Sequence, residues 1–183
     1  MHLATWKKKH YDGWLDGDVG FARHALAIDE QRANFPRVKW GSQTQMEKNL
    51  DKSPDWFKQV WFAGCHSDIG GSYPEDESRL SDIALDWMIT ELNDCFPEIE
   101  IRNELLVRAP DPSGLQHEQT YFINWGPIKV KWKEGPRKLY DGSILHPSVI
   151  ERFESGPVPQ LGEVKLYRPI QLSKMEALRE YYT

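Results

Sequence analysis

The most constraining feature of this sequence is a continuous stretch with the pattern of a strand, a glycine turn, a histidine loop and a helix. Residues 59–73 read QVWFAGCHSDIGGSY, and their short apolar run ends at Gly64. Such a run of β-branched and aromatic residues is typical of a buried strand. Residues 80–96, LSDIALDWMITELNDCF, repeat apolar side chains at the i, i+3, i+4, i+7 spacing of an amphipathic helix. The unit predicts a mixed α/β fold, with a short, mostly parallel sheet, packed helices and long loops.

Weaker patterns flank this unit. FARHALAIDEQRANF, residues 21–35, places its apolar side chains near one helical stripe before a proline, which predicts a helix. Short strands and helices are predicted further along the chain, because apolar runs there are separated by turn signals. These are the strands TYFIN (120–124) and IKVKW (128–132), the short helix HPSVIERF (146–153) and the terminal helix LSKMEALREYY (172–182).

The composition limits the classes of partner. The net charge is −5 and the one basic run, residues 7–10, is short, so we expect no nucleic-acid partner. No apolar run approaches the roughly 18 residues needed to span a bilayer, and the N-terminus lacks the apolar stretch of a signal peptide. The two cysteines, Cys65 and Cys95, fit a reduced protein better than a disulfide framework. We therefore expect no transmembrane segment and a chain that is cytoplasmic where it is made.

His66 is the candidate catalytic residue, because it follows the predicted buried strand, where open α/β folds build their sites. Asp68 and the backbone amides around Gly70 and Gly71 would give it polar support. The competing interpretation is an ordinary structural loop histidine. Cys65 is not expected to be its nucleophile, because neighbours in an extended segment point to opposite faces. A small packing residue at the strand end is the favoured role for Cys65.

Two other chemistries lack their motifs. His66 and Asp68 are of metal-ligating types, but no C-x-x-C, H-E-x-x-H or calcium-loop pattern accompanies them. We therefore expect no metal and no cofactor. The G-x-S-x-G nucleophile motif of serine α/β-hydrolases is also absent, because Ser67 has Cys65 in place of the first glycine and Ser72 has Pro74 in place of the second.

Four blocks of the sequence, in order, resemble successive blocks of a known family: FARHALAIDEQRANFPRVKW, QVWFAGCHSDIGGSYPE, LSDIALDWMI and, more loosely, LHPSVIERF…YRP. It is the family of bacterial and fungal hydrolases called domain of unknown function 2235 (DUF2235), which includes the first class of type VI secretion phospholipase effectors. The resemblance runs from about residue 21 to residue 170. It implies an α/β-hydrolase core, a Ser-Asp-His triad, a phospholipid substrate and export by secretion. It also implies that His66 is the triad base, which agrees with the order Ser, acid, His in α/β-hydrolases.

The resemblance also implies that parts of the site are missing. In the family, the glycine-flanked serine and a D-T-V-like segment carrying the acid lie upstream of the first block, and neither occurs in residues 1–20. We therefore interpret residues 1–20 as an irregular lead-in and residues 21–183 as the C-terminal part of a DUF2235 α/β-hydrolase-like domain. Asp18 and Asp29 are candidate replacement acids, although Asp29 is expected to cap or pair locally.

Whether the chain is an enzyme by itself stays open at this point. Without its nucleophile the fragment is expected to be inactive alone, and its expected partner is a separate N-terminal hydrolase half. The alternative is a non-enzymatic pseudoenzyme or interaction module that binds a partner protein or a lipid surface.

Overall fold

The computed structural model describes residues 15, 18–37, 40, 47–50, 55–119, 121–125, 127–139 and 142–182. Its strands are β1 (Ala22–Ala27), β2 (Phe57–Phe62), β3 (Tyr121–Trp125), β4 (Ile128–Lys131), β5 (Ile144–Leu145), β6 (Pro157–Gln160) and β7 (Glu163–Leu166). Its helices are α1 (His66–Gly70), α2 (Arg79–Cys95) and α3 (Pro147–Glu154), and residues 47–50 are also helical. Short 3₁₀ helices span Glu75–Glu77, Asn103–Leu105, Ile170–Leu172 and Glu176–Tyr182.

A three-stranded parallel sheet of order β1-β2-β5 organises the fold. β1 pairs with β2 over its whole length, from Ala22 opposite Phe57 to Ala27 opposite Phe62. β5 adds two residues on the other side of β2, opposite Val60 and Trp61. Parallel neighbours need a crossover connection, and α2 lies in the one between β2 and β5. The predicted short parallel sheet with packed helices is confirmed.

Both faces of the sheet are covered, as a parallel sheet requires. Trp61 of β2 lies in one buried cluster, together with Val149 and Phe153 of α3 and with side chains from the C-terminal segment. Phe62, the next residue, lies in a second cluster with Leu80, Ile83 and Ala84 of α2. Successive residues of β2 therefore pack against helices on opposite sides, which fixes β2 in the middle layer and its carboxyl end at one edge of the core.

The helix predicted for residues 21–35 is wrong, because this segment contains β1 followed by bends and turns. Its apolar side chains also lie near one helical stripe, and this spacing predicts a helix. The packing, however, has period two: Leu26 and Ile28 lie in one core cluster, whereas Ala25 packs against the other. Pairing with β2 buries both sides of the segment, and this tertiary gain outweighs the local preference.

The other predicted elements are confirmed with adjusted ends. The strand before Gly64 and the long helix after it are β2 and α2. The two short strands are β3 and β4, which form an antiparallel pair. The HPSVIERF helix is α3. The terminal segment is helical in the tighter 3₁₀ form, Glu176–Tyr182.

Candidate active site

The carboxyl ends of β1 and β2 form one edge of the sheet, and chemically reactive side chains follow each of them. The backbone pairing continues past the strands, since Asp29 N–H donates to the Gly64 carbonyl at 3.0 Å. Asp29 therefore lies beside the turn that leads to His66. Open α/β sheets bind ligands in this position, outside the carboxyl ends of their strands.

Gly64 allows the chain to turn sharply at this edge. Its φ is +121°, and a Cβ placed there would lie 2.6 Å from the Cβ of Asp68. Both the left-handed backbone and the close approach require glycine. The sequence thus fixes where β2 ends and where α1 begins.

His66 is the first residue of α1, and its side chain is exposed. Its ring packs against the Phe35 ring, with centroids 5.4 Å apart. Among the described residues no hydrogen-bond partner holds either ring nitrogen of His66. The imidazole is therefore open to a group that comes from outside this part of the chain.

Asp68 is buried, and its carboxylate holds the loop together. It accepts the Cys65 backbone N–H at 2.8 Å, and its Oδ1 lies 2.7 Å from His117 Nδ1. Because a carboxylate can only accept, the proton in this second bond belongs to His117 Nδ1. The structure therefore pairs Asp68 with His117, and not directly with His66.

Gly70 and Gly71, the other expected supporting residues, end α1. They line a separate groove, together with Ala25, Ile69 and Leu85. Gly71 has a positive φ of 73°, which lets the chain leave the helix.

His117 is a site residue that the sequence did not indicate. Its ring stacks on Tyr73, with centroids 3.4 Å apart and planes at 8°. Its Nε2 lies 3.0 Å from Glu77 Oε2, so each ring nitrogen faces a carboxylate. The residue lies in an irregular segment, and only the fold brings it to Asp68 from 49 positions away in the sequence.

Asp29 lies just past the end of β1, and one of its carboxylate oxygens accepts two hydrogen bonds. Oδ2 accepts the Gly64 N–H at 2.8 Å and the Tyr167 hydroxyl at 2.8 Å. Burial raises the pKa of Asp29 to about 6, in spite of these two hydrogen bonds, which favour the charged form. Asp29 is expected from the sequence to cap or pair within its own segment, but both of its partners are distant along the chain, Gly64 by 35 residues and Tyr167 by 138.

A cavity opens at this edge, and we call it the edge cavity. Its lining includes Asp29, Glu30, Arg32, Cys65, His117 and Gln119. Glu30 and Arg32 form an ion pair of 2.6 Å within it. Burial opposes ionisation of Glu30, but the Arg32 hydrogen bonds and charge outweigh it and lower the pKa of Glu30.

Cys65 is buried at the edge cavity, and burial raises the pKa of its thiol to about 12. A thiol of that pKa supplies almost no thiolate at neutral pH, which argues against a cysteine nucleophile here. In the described part of the chain, no group of three His, Cys, Asp or Glu side chains could hold a metal ion.

Comparison with known proteins identifies the family. Residues 2–91, about half of the 183 residues, match the family model described as the catalytic domain of Tle1-like phospholipase effectors of the type VI secretion system (T6SS). The resemblance inferred from the sequence, from about residue 21 to residue 170, is confirmed where it overlaps this match, over residues 21–91. No curated protein and no solved structure gives a significant match.

The Tle1-like segment contains β1, β2, α1 and most of α2. Asp29, His66 and Asp68 therefore all lie within it, whereas His117 and Tyr167, which bind the two aspartates, lie beyond it. None of the helices in the described ranges is long and apolar enough to cross a bilayer.

Proposed function

We propose that this chain carries the general base of a phospholipid-ester hydrolase, with His66 as that base. The nucleophilic serine comes from outside these 183 residues, from an adjoining part of the same polypeptide or from a separate N-terminal half. The observation that carries the proposal is the position of His66. It follows the central strand β2 at the carboxyl edge of the sheet, inside the segment that matches a phospholipase family.

The surroundings of His66 suit this role. Its imidazole is exposed, and it is not committed to a hydrogen bond within the described residues. In the proposed reaction it takes the proton of the serine hydroxyl as the oxygen attacks the ester carbonyl, and then gives it to the leaving alcohol. A water molecule, activated by the same ring, then cleaves the acyl-enzyme and releases the fatty acid.

The origin of the nucleophile follows from chemistry and not from chain length. The 183 residues contain no G-x-S-x-G, and the thiol nearest His66 is buried and protonated. A base without a nucleophile leaves little catalysis, so the isolated chain is proposed to be inactive toward phospholipids. Residues 21–183 are then the C-terminal part of an α/β-hydrolase-like domain, and the family name supports export by a type VI secretion system.

Complementation tests this function. The purified chain is mixed or co-expressed with the serine-bearing N-terminal segment of a Tle1-like effector, and fatty-acid release from phospholipid vesicles is measured. We expect activity only when both parts are present and His66 is intact. Asp76→Ala, which changes an exposed acid in the neighbouring 3₁₀ turn, is the matched control for His66→Ala.

Three outcomes would revise the proposal. Full activity in the His66→Ala complex would remove His66 from the role of base. Activity of the isolated chain that His66→Ala abolishes would place the nucleophile within the 183 residues. A folded chain that is inactive in every combination but binds vesicles would favour the non-enzymatic module.

A further inference from the structure

The best-supported imidazole at the sheet edge is that of His117, which neither the family match nor the sequence pattern assigns. Asp68 is buried and lies 2.7 Å from His117 Nδ1. Tyr73 stacks on the ring and fixes its plane. A buried carboxylate that holds Nδ1–H is the device that orients the base of serine hydrolases, because it selects the tautomer and stabilises the charged ring.

Glu77 occupies the other ring nitrogen. Its Oε2 lies 3.0 Å from Nε2, and its side chain is 46% exposed. The two carboxylates therefore differ in kind: Asp68 is fixed by burial and by the Cys65 N–H, whereas Glu77 can turn into solvent with little lost packing. Because the Glu77 carboxylate can only accept, its contact holds a proton on Nε2. When Glu77 turns away, this proton can pass to solvent and leave the Nε2 lone pair free, while Nδ1 stays held.

The ring also faces a space where a small ligand could enter. His117 lines the edge cavity, together with Leu161 and Trp132, which add apolar surface. Polar and apolar groups converging in one concave site are the usual features of a small-molecule site.

We propose that Asp68 and His117 form an acid–base pair that transfers the acyl group of activated carboxylic esters, with Glu77 as a removable cap on Nε2. The Nε2 lone pair attacks the ester carbonyl, and the alkoxide or phenolate leaves with the electron pair of the broken C–O bond. Asp68 stabilises the positive acyl-imidazolium through the Nδ1 proton. One water molecule then attacks the acyl carbon, its two protons pass to solvent, and the C–N bond breaks with its electron pair returning to Nε2, which releases the carboxylate and restores the ring.

This reaction needs no serine, so it is independent of the function proposed for His66. The test uses the purified full chain with p-nitrophenyl butyrate at neutral pH, and follows p-nitrophenolate by absorbance. Glu77→Ala should raise the initial rate about threefold or more, because it uncovers Nε2. Glu77→Gln should raise the rate less than Glu77→Ala, because its amide can donate to Nε2 and cover it again. Asp76→Ala, which changes an acid outside the pair, should leave the rate unchanged.

His117→Ala should lower the rate to that of the remaining histidines and cancel the effect of Glu77→Ala in the double variant. Mass spectrometry after an acid quench should place the butyryl adduct on His117, and this readout does not need a folded His117→Ala variant. The adduct on His117 and the complementation by a serine-bearing segment are separate readouts, so this proposal and the previous one fail separately. A Glu77→Ala rate equal to that of the wild type, or an adduct on another residue, would contradict the proposed acyl transfer by Asp68 and His117.

Discussion

Asp29 should make the stability of this protein depend on pH in the opposite direction from most acidic residues. Its pKa rises from the ordinary 3.8 to about 6 on folding, chiefly because the carboxyl is buried. Between these two values the folded chain binds a proton that the unfolded chain has released. The stabilisation is therefore fully present below pH 3.8, and it is lost as the pH rises through 6.

The size of this effect follows from the shift. One pKa unit corresponds to about 1.4 kcal/mol, so a shift from 3.8 to about 6 costs at most about 3 kcal/mol once Asp29 is charged. The figure is an upper bound, since the residue keeps partial exposure at the edge cavity. Asp29→Asn removes the charge, and its amide oxygen can still accept from Gly64 and Tyr167.

Urea unfolding of the wild type and Asp29→Asn, from pH 3.5 to pH 7.5, measures this term directly. The free energy of unfolding of the variant, relative to that of the wild type, should increase by up to about 3 kcal/mol over this range. Comparing the two proteins at each pH cancels the titration of all other groups. A difference that stays constant with pH would show that Asp29 has the same pKa in both states, and would refute the reasoning.

Three further results are expected at the same edge. Cys65 should resist iodoacetamide at pH 8 in the folded protein and react after unfolding, as peptide mapping would show, because its thiol is buried and has a pKa of about 12. Gly64→Ala should lower the free energy of unfolding in urea by at least about 2 kcal/mol, because the new Cβ meets Asp68. Gly71→Ala has open space around it and should lower the free energy by only about 1 kcal/mol. Equal losses in the two variants would contradict the steric argument. Tyr167→Phe should lower the free energy of unfolding by about 1–2 kcal/mol at pH 7, because the Asp29 carboxylate keeps the Gly64 N–H but loses its second donor; an unchanged urea midpoint would argue against that bond.

Local pattern was enough to predict the central unit. β2, Gly64 and α2 each follow from signals within a few residues, namely an apolar run, a left-handed turn and helical spacing. The strand β1 is not predicted because its apolar residues also fit a helical stripe, while its strand form depends on pairing with Phe57–Phe62, some 35 residues away.

The site was only partly predictable for the same reason. His66 could be placed after β2 from the sequence, because it adjoins the strand that positions it. His117 could not, because its partner Asp68 is 49 residues away and nothing in its own segment has a catalytic pattern. Asp29 is a candidate acid by sequence, but its bonds to Gly64 and Tyr167 span 35 and 138 residues, so neither has a local signal.

These long-range bonds bear on how the matched half and the rest of the chain depend on each other. Asp29 and Asp68 are the two acids of the Tle1-like segment that hold the edge, and each is bonded by a side chain from beyond residue 91. Burying a carboxylate costs free energy unless hydrogen bonds compensate it. The Tyr167 hydroxyl and the His117 Nδ1–H supply such hydrogen bonds from outside the matched segment. The second half of the chain therefore helps to hold the segment around His66 in place, even though only residues 2–91 match the family.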